Sequence, residues 1–140
     1  YAHHPTEVAA LMNACTELDA KKILFVYQPH HPERTKQFWN DFVEVFKEFP
    51  AEHQCLLMDI YVARSQHIEG INSQKMVEEI NLTNVQYLEA ESDAKTSQGN
   101  IKDHKAAYKN QIDKILKEAQ ADCLFLVGAG DIAKLVPDFS

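Results

Sequence analysis

The sequence predicts an α/β fold: a three-layer, Rossmann-like arrangement in which helices cover both faces of a mostly parallel sheet. Two observations support this prediction. Four short apolar segments alternate with segments whose apolar residues recur at helical spacing. The clearest of the short segments are uninterrupted apolar runs, as in strands buried on both faces of a parallel sheet. Such alternation produces βαβ units, and 140 residues suit one domain, so residues 1–140 are expected to form a single domain.

The first half of the chain is predicted to contain a helix, a buried strand, a polar loop and a second helix, over residues 6–18, 23–27, 28–34 and 35–49. Pro5 suits the start of the first helix, where a missing N–H has little effect. The second helix carries phenylalanines at positions 38, 42, 46 and 49 on one stripe. Pro50 is expected to end it.

The second half is predicted to contain strands over residues 55–60, 85–88 and 123–127 and helices over residues 73–80, 103–119 and 132–136. Residues 91–102 are polar, and we interpret them as an exposed loop or a partly disordered insertion. Loops beginning at Gln28, Asp59 and Gly128 each follow a predicted strand. In parallel sheets ligands bind at the carboxyl ends of the strands, so these three loops should share one edge.

The charge composition of the chain limits the kinds of partner that it is expected to bind. The chain has 14 basic and 21 acidic side chains, a formal net charge of −7. This argues against nucleic acid and anionic membranes as partners, although a small anionic ligand needs only a few local donors. The three cysteines, Cys15, Cys55 and Cys123, lie far apart in apolar runs and are interpreted as buried, reduced thiols. With no apolar run long enough to span a bilayer and no signal peptide, a cytoplasmic location is expected.

Histidines precede the first helix. Tyr1, His3 and His4 stand just before its predicted start, where free backbone N–H groups favour a bound anion. A solvated or tag-like chain end explains the same residues equally well.

A second basic group follows the first strand. His30, His31 and Arg34 lie in a proline-containing loop at that strand's carboxyl end, where they can bind a carboxylate or phosphate. Side chains of adjacent histidines diverge and no cysteine is near in sequence, so no metal site is expected.

Two further groups stand at strand ends. Gly128 and Gly130 allow a tight turn after the last strand, and Asp131 is predicted to cap the final helix. The turn lacks the Gly-Lys-Ser/Thr of a P-loop and the third glycine of a dinucleotide fingerprint, so a structural turn is favoured. Asp59 and Arg64, after the second strand, can either orient a substrate or cap local structure.

Taken in order, these loops resemble the C-terminal domain of the Mur ligases, and the resemblance covers most of the chain outside residues 85–121. The matching blocks are Tyr1-Ala2-His3-His4-Pro5-Thr6-Glu7-Val8, Phe25-Val26-Tyr27-Gln28-Pro29-His30, Arg34-Thr35, Asp41-Phe42, Asp59-Ile60-Tyr61, Gly70 with Ser73, and Gly128-Ala129-Gly130-Asp131-Ile132. Within the family, the Gln-Pro-His and Gly-Ala-Gly-Asp forms favour the alanine-adding enzymes.

The resemblance implies an ATP-dependent, amide-forming ligase of peptidoglycan biosynthesis that works through an acyl phosphate. It further implies UDP-N-acetylmuramate, L-alanine and ATP as substrates of the full enzyme. The UDP-binding and ATPase domains would then be missing from this chain. ATP and Mg²⁺ would be bound mainly by the ATPase domain, and this chain alone should be inactive. A beginning at Tyr1, without Met, fits a piece of a longer protein.

The resemblance also implies roles for residues. His30 and Arg34 would be catalytic, facing the amino acid's carboxylate and the developing phosphate charge. Contacts with the amino acid are assigned to Tyr1, His3, His31 and Arg34, and proximity to the nucleotide to Tyr1, His4 and Asp59. The family usually has arginine and an aromatic residue where this chain has His31 and Pro32, which leaves the amino acid open. Alternatives are a recycling ligase that adds a tripeptide, and a stand-alone Rossmann-like ligand-binding module.

Overall fold

A four-stranded parallel sheet forms the centre of the protein, as the computed structural model shows for residues 2–62, 64–89 and 101–139. Its strands are β1 (Ile23–Tyr27), β2 (Gln54–Leu57), β3 (Val85–Tyr87) and β4 (Cys123–Val127). They lie in the order β3-β2-β1-β4, and every pair is parallel. The predicted fold class is confirmed.

Helices cover both faces of the sheet. The α-helices are α1 (Pro5–Thr16), α2 (Pro32–Gln37), α3 (Trp39–Lys47), α4 (Ser73–Ile80), α5 (Ile101–Glu118) and α6 (Val136–Phe139), with a 3-10 helix at Asp131–Leu135. The apolar side chains of α1, α3 and α4 pack on one face of the sheet, and those of α5 and the 3-10 helix pack on the other face. None of the helices in the described ranges is both long and apolar enough to cross a bilayer.

Strand β1 belongs to both cores. Phe25 and Tyr27 point into the layer of α1 and α3, whereas Leu24 and Val26 point towards α5. All five residues of the strand are buried, which explains why its sequence is continuously apolar rather than alternating.

The helical region after β1 differs from the prediction. Residues 32–34, predicted as loop, form the first turn of α2, because Pro32 already has the backbone angle that a first helical position needs. The predicted helix over residues 35–49 is two helices that break at Phe38, where φ is −107° and ψ is 21°. The Phe38 ring packs edge-on against His4 at 4.7 Å between centroids, so the break brings α2 towards the start of α1.

Other corrections concern element ends. Strand β2 ends at Leu57, so Asp59 and Ile60 lie beyond it. Asp131 does not cap a helix: it is the first residue of the 3-10 helix, and its carboxylate lies 3.1 Å from the Lys134 ammonium. Helix α5 begins at Ile101, inside the predicted loop, and the rest of that loop, residues 91–100, lies outside the described residues.

The cysteines are unpaired thiols. Cys15 and Cys55 are buried, as predicted, but Cys123 is only partly covered, so full burial was wrong for that residue. Burial, followed by the neighbouring Cys123, raises the pKa of Cys15 to about 11. A thiol with so high a pKa is protonated at neutral pH and unreactive.

Candidate functional site

The three loops at the carboxyl ends of the strands meet at Gln28. This residue is only 3% exposed. The amide Nε2 donates to the Asp59 carbonyl at 3.2 Å, and Oε1 accepts from the Ile132 N–H at 2.9 Å. The Gln28 N–H in turn donates to the Val127 carbonyl at 3.0 Å. The loops that begin at Gln28, Asp59 and Gly128 therefore share one edge, as the sequence predicted.

Gln28 also lies next to the position where ligands most often bind in such sheets. Chain order runs outward from β1 to β2 and β3 and then returns to β4 on the other side of β1, so the strand order reverses between β1 and β4. Gly128 (φ +147°) closes the same position, because a Cβ there would lie 2.9 Å from the Gln28 carbonyl oxygen and from Ile132 Cγ2. Gln28 and Gly128 are thus closely packed at this reversal, and polar side chains gather beside them.

A stack of close contacts fixes His30. Gly130 is packed so tightly under Tyr61 that an added Cβ would lie 2.7 Å from the Tyr61 Cβ. The Tyr61 ring stacks on His30, with 5.3 Å between centroids and 15° between planes. Parallel pairing continues beyond the strands, since the Tyr61 N–H donates to the Pro29 carbonyl at 2.8 Å and the His31 N–H donates to the Tyr61 carbonyl at 2.9 Å.

Arg34, four residues after His30, lies beside it in the first turns of α2. Its Nη1 is 3.5 Å from His30 Nδ1. Burial, then His31, Arg34 and His3, lower the pKa of His30 from its ordinary value. A neutral ring accepts from the guanidinium through Nδ1 and keeps its Nε2–H as a donor. His30 therefore orients Arg34 without adding a competing positive charge.

His31 has unusual backbone geometry. Its φ is 66°, in the left-handed region that β-carbon-bearing residues seldom adopt. The His31 carbonyl accepts from the N–H of Thr35 at 3.0 Å and from its hydroxyl at 2.9 Å, and the buried Thr35 side chain holds this turn. The ring Nδ1 lies 3.2 Å from Ser65 Oγ, and the ring centroid lies 4.0 Å from that of His30.

The start of α1 completes the group. The His3 ring is 6.5 Å from the His30 ring, and the His3 N–H donates to the Glu7 carboxylate at 3.3 Å. His4 has a structural task, since its Nδ1 accepts from the Thr6 N–H at 3.2 Å and caps α1. We call His3, His30, His31 and Arg34 the histidine–arginine rim. Tyr1, predicted to join it, lies outside the described residues.

Asp59 lies at the same edge but turns away from the rim. Its carboxylate accepts from the Tyr87 hydroxyl and from the Tyr108 hydroxyl, the latter at 2.9 Å, on the α5 side of the sheet. Burial, together with Asp59, raises the pKa of both tyrosines above the ordinary range, so both remain donors at neutral pH. The predicted position of Asp59 near a nucleotide stays a prediction.

Sequence reasoning overlooked two residues that position the site, Gln28 and Tyr61, and a third residue at the opposite end of β1. Gln28 was taken as the start of a loop and as a motif residue, and Tyr61 as a motif residue, in both cases without a structural contact. His53 was not considered, yet it is buried and its Nδ1 accepts from the Ile23 N–H at 3.1 Å at the start of β1. A polar residue directly after a buried strand was the available signal for Gln28, whereas the stack on Tyr61 depends on three loops at once.

Fold and site together define a class: a three-layer α/β domain with a rim of histidines and one arginine, able to donate hydrogen bonds to an anionic ligand, at the carboxyl edge of its sheet. Comparison with known proteins shows which enzymes the chain resembles. The chain is 37% identical over 137 residues to the UDP-N-acetylmuramate–L-alanine ligase of Flavobacterium psychrophilum. It is 38% identical over 136 residues to the enzyme of that name from Bdellovibrio bacteriovorus and 33% identical over 135 residues to that from Clostridium perfringens.

These alignments cover 96–97% of the chain but 26% of each relative, so the chain spans about a quarter of the length of the curated proteins it matches. No family model matches the chain. The predicted resemblance to the Mur ligases, and to their alanine-adding members in particular, is confirmed over nearly the whole chain.

Proposed function

We propose that the chain is the C-terminal domain of an ATP-dependent ligase that joins L-alanine to UDP-N-acetylmuramate in the cytoplasm. The similarity to enzymes of that name, over almost all of the chain, supports this proposal. The remainder of the protein would supply the UDP-binding domain and the ATPase domain, since the relatives are roughly four times as long as the match. On this proposal the chain alone is inactive.

The rim would bind the amino acid and stabilise charge in the reaction. The observation that carries this role is the placement of Arg34 beside His30 on the same rim, with 3.5 Å between Arg34 Nη1 and His30 Nδ1. Arg34 would bind the carboxylate of the incoming amino acid, and His30 would donate its Nε2–H towards developing negative charge. Donors fixed before the reaction lower the barrier because they need no reorganisation when charge develops.

We assign the Mg²⁺ site to another domain of the full enzyme. Hard cations bind oxygen ligands, chiefly carboxylates, carbonyls and waters. The rim offers imidazoles and a guanidinium instead, and the Asp59 carboxylate is engaged by two tyrosine hydroxyls. These residues do not fit a magnesium site, so no step through the ion is assigned to this domain.

Replacement of Arg34 tests the proposed role. In the full-length enzyme, Arg34→Ala should raise the KM for L-alanine about 10- to 100-fold with a smaller change in kcat, because a charge-assisted hydrogen bond contributes about 1.5–3 kcal/mol. Lys36→Ala removes an exposed cation from the same helix and is the control. Unchanged alanine kinetics in Arg34→Ala would rule out this role.

A second assay separates the alternative acceptor. ATP hydrolysis by the full enzyme with UDP-N-acetylmuramate should be stimulated by L-alanine and not by the tripeptide of a recycling ligase. Preferential stimulation by the tripeptide would indicate that the protein is a recycling ligase. The proposed role of the rim in binding the acceptor would be unaffected by that result.

A further inference from the structure

An open pocket lies beside the rim, between α2 and the loop that follows β2. It has a volume of about 550 Å³. Its walls come from two segments, residues 31–37 and residues 64–65, and are formed by His31, Glu33, Arg34, Gln37, Arg64 and Ser65. Arg34 therefore belongs both to the rim and to this pocket.

Both arginines of the protein line this pocket. Of the 14 basic side chains, only Arg34 and Arg64 are arginines, and both line its walls. Within the described ranges neither guanidinium forms an ion pair with a carboxylate, whereas five lysines do. A planar guanidinium grips a carboxylate with two parallel hydrogen bonds, which an ammonium cannot do.

The two walls are tied together near their base. His31 Nδ1 lies 3.2 Å from Ser65 Oγ, and the His31 N–H donates to the Tyr61 carbonyl at 2.9 Å. The Ser65 hydroxyl also donates to the Val62 carbonyl. These contacts restrain the α2 wall, which carries Arg34, against the loop that carries Arg64. Among the described residues that line the pocket, Glu33 is the acidic one, and no ion pair between it and Arg34 or Arg64 is found there.

We propose that Arg34 and Arg64 together clamp the carboxylate of the acceptor, with Arg64 as an additional specificity-determining residue. The identity of the acceptor rests on the proposed function, but binding of a carboxylate in this pocket does not. Because the protein carries a net charge of −7, long-range attraction does not favour anions, and saturable binding must come from local donors.

NMR of the arginine side chains tests the clamp on the 140-residue chain. The chain has two arginines and so two Nε–H signals, which Arg34→Lys and Arg64→Lys assign. N-acetyl-L-alanine, a carboxylate without an amine, is titrated at constant ionic strength, with inorganic phosphate in a parallel series. Both signals should move along one saturating curve, and Arg64→Gln should weaken the apparent affinity at least about fivefold. Lys114→Gln makes the same charge change at an exposed position of α5 and should alter it less than twofold.

Three other results of the titration would each contradict the proposal in a different way. If only the Arg34 signal moves and Arg64→Gln binds normally, the clamp is overturned while the proposed role of Arg34 stands. Tighter binding of phosphate than of N-acetyl-L-alanine would overturn the assignment to a carboxylate. Shifts that grow linearly, or equally with chloride, would mean that the pocket is not a binding site.

Discussion

At the scale of single residues, the packing of Tyr61 against the rim requires a glycine, without a side chain, at position 130. Tyr61 lies across its backbone, and an added methyl group would overlap the ring. Gly130→Ala should therefore lower the free energy of unfolding by about 1–3 kcal/mol, the usual effect of overpacking. Urea denaturation measures the change. In a Tyr61→Ala background the same substitution should have much less effect, and an equal effect in both backgrounds would place the strain elsewhere.

His30 makes stability depend on pH. Its pKa is lowered in the folded protein from an ordinary value of 6.5, chiefly by burial. The unfolded chain therefore binds the proton more readily, so this contribution to stability is complete above pH 6.5 and declines as the pH falls below it. The loss in unfolding free energy between pH 7.5 and 5.5 should be smaller for His30→Asn than for the parent chain. Both proteins should respond alike between pH 7.5 and 8.5, and equal losses at acid pH would contradict the prediction.

The sequence allowed several residues of the site to be predicted, but not the contacts that those residues make. His30, His31 and Arg34 stood out because polar residues after a buried strand mark the ligand edge of such folds. The stack of His30 on Tyr61 joins residues 31 positions apart, and Gly130 lies 69 positions further on. Local patterns contain no information on such distant packing. For the same reason the capping role of His4 and the turning of Asp59 towards Tyr108 were not predicted.

At the scale of elements, α4 depends on its cap. Asn72 precedes the helix, and its Oδ1 accepts from the Lys75 N–H at 2.9 Å. Asn72→Ala should lower the free energy of unfolding by about 1 kcal/mol, because an N–H of the first turn loses its partner. Asn72→Asp keeps the acceptor and should retain most of the stability. Equal denaturation midpoints for Asn72→Ala and the parent chain would show that the cap is dispensable.

Element boundaries were predictable where one pattern dominates. The strands over residues 23–27 and 123–127 and the helix over residues 73–80 match the structure at both ends. The break between α2 and α3 was missed because the stripe of phenylalanines continues across it. Phe38 still faces the protein interior after the break, through its contact with His4, so the spacing of apolar residues gives no sign of the interruption.

At the scale of the whole molecule, Gln28 joins three loops that are distant in sequence. Gln28→Leu would leave the buried Ile132 N–H and the Asp59 carbonyl without their side-chain partner. It should lower the free energy of unfolding by about 2–4 kcal/mol, given about 1–3 kcal/mol for each buried group left unsatisfied. Gln28→Glu, which preserves shape and the acceptor for Ile132, should lie between Gln28→Leu and the parent chain in urea denaturation. A Gln28→Leu protein as stable as the parent would refute this account.

The class of fold followed from alternation alone, but the order of its strands did not. β1 pairs with β4 across roughly one hundred residues, and nothing in either segment specifies that neighbour. Only the finished sheet shows that the order reverses beside β1, that Gln28 lies at that point, and that the histidine–arginine rim lies next to it.

The packing of Gln28 beside the strand reversal has a consequence for how acceptor recognition could be altered. On the proposed function, the residues that bind the acceptor lie on two outer segments, residues 30–37 and residues 61–62 with 64–65, whereas the amide of Gln28 bonds separately to the loops that follow β2 and β4. Exchange of those two segments should therefore change acceptor preference while the bonds made by Gln28 are left intact.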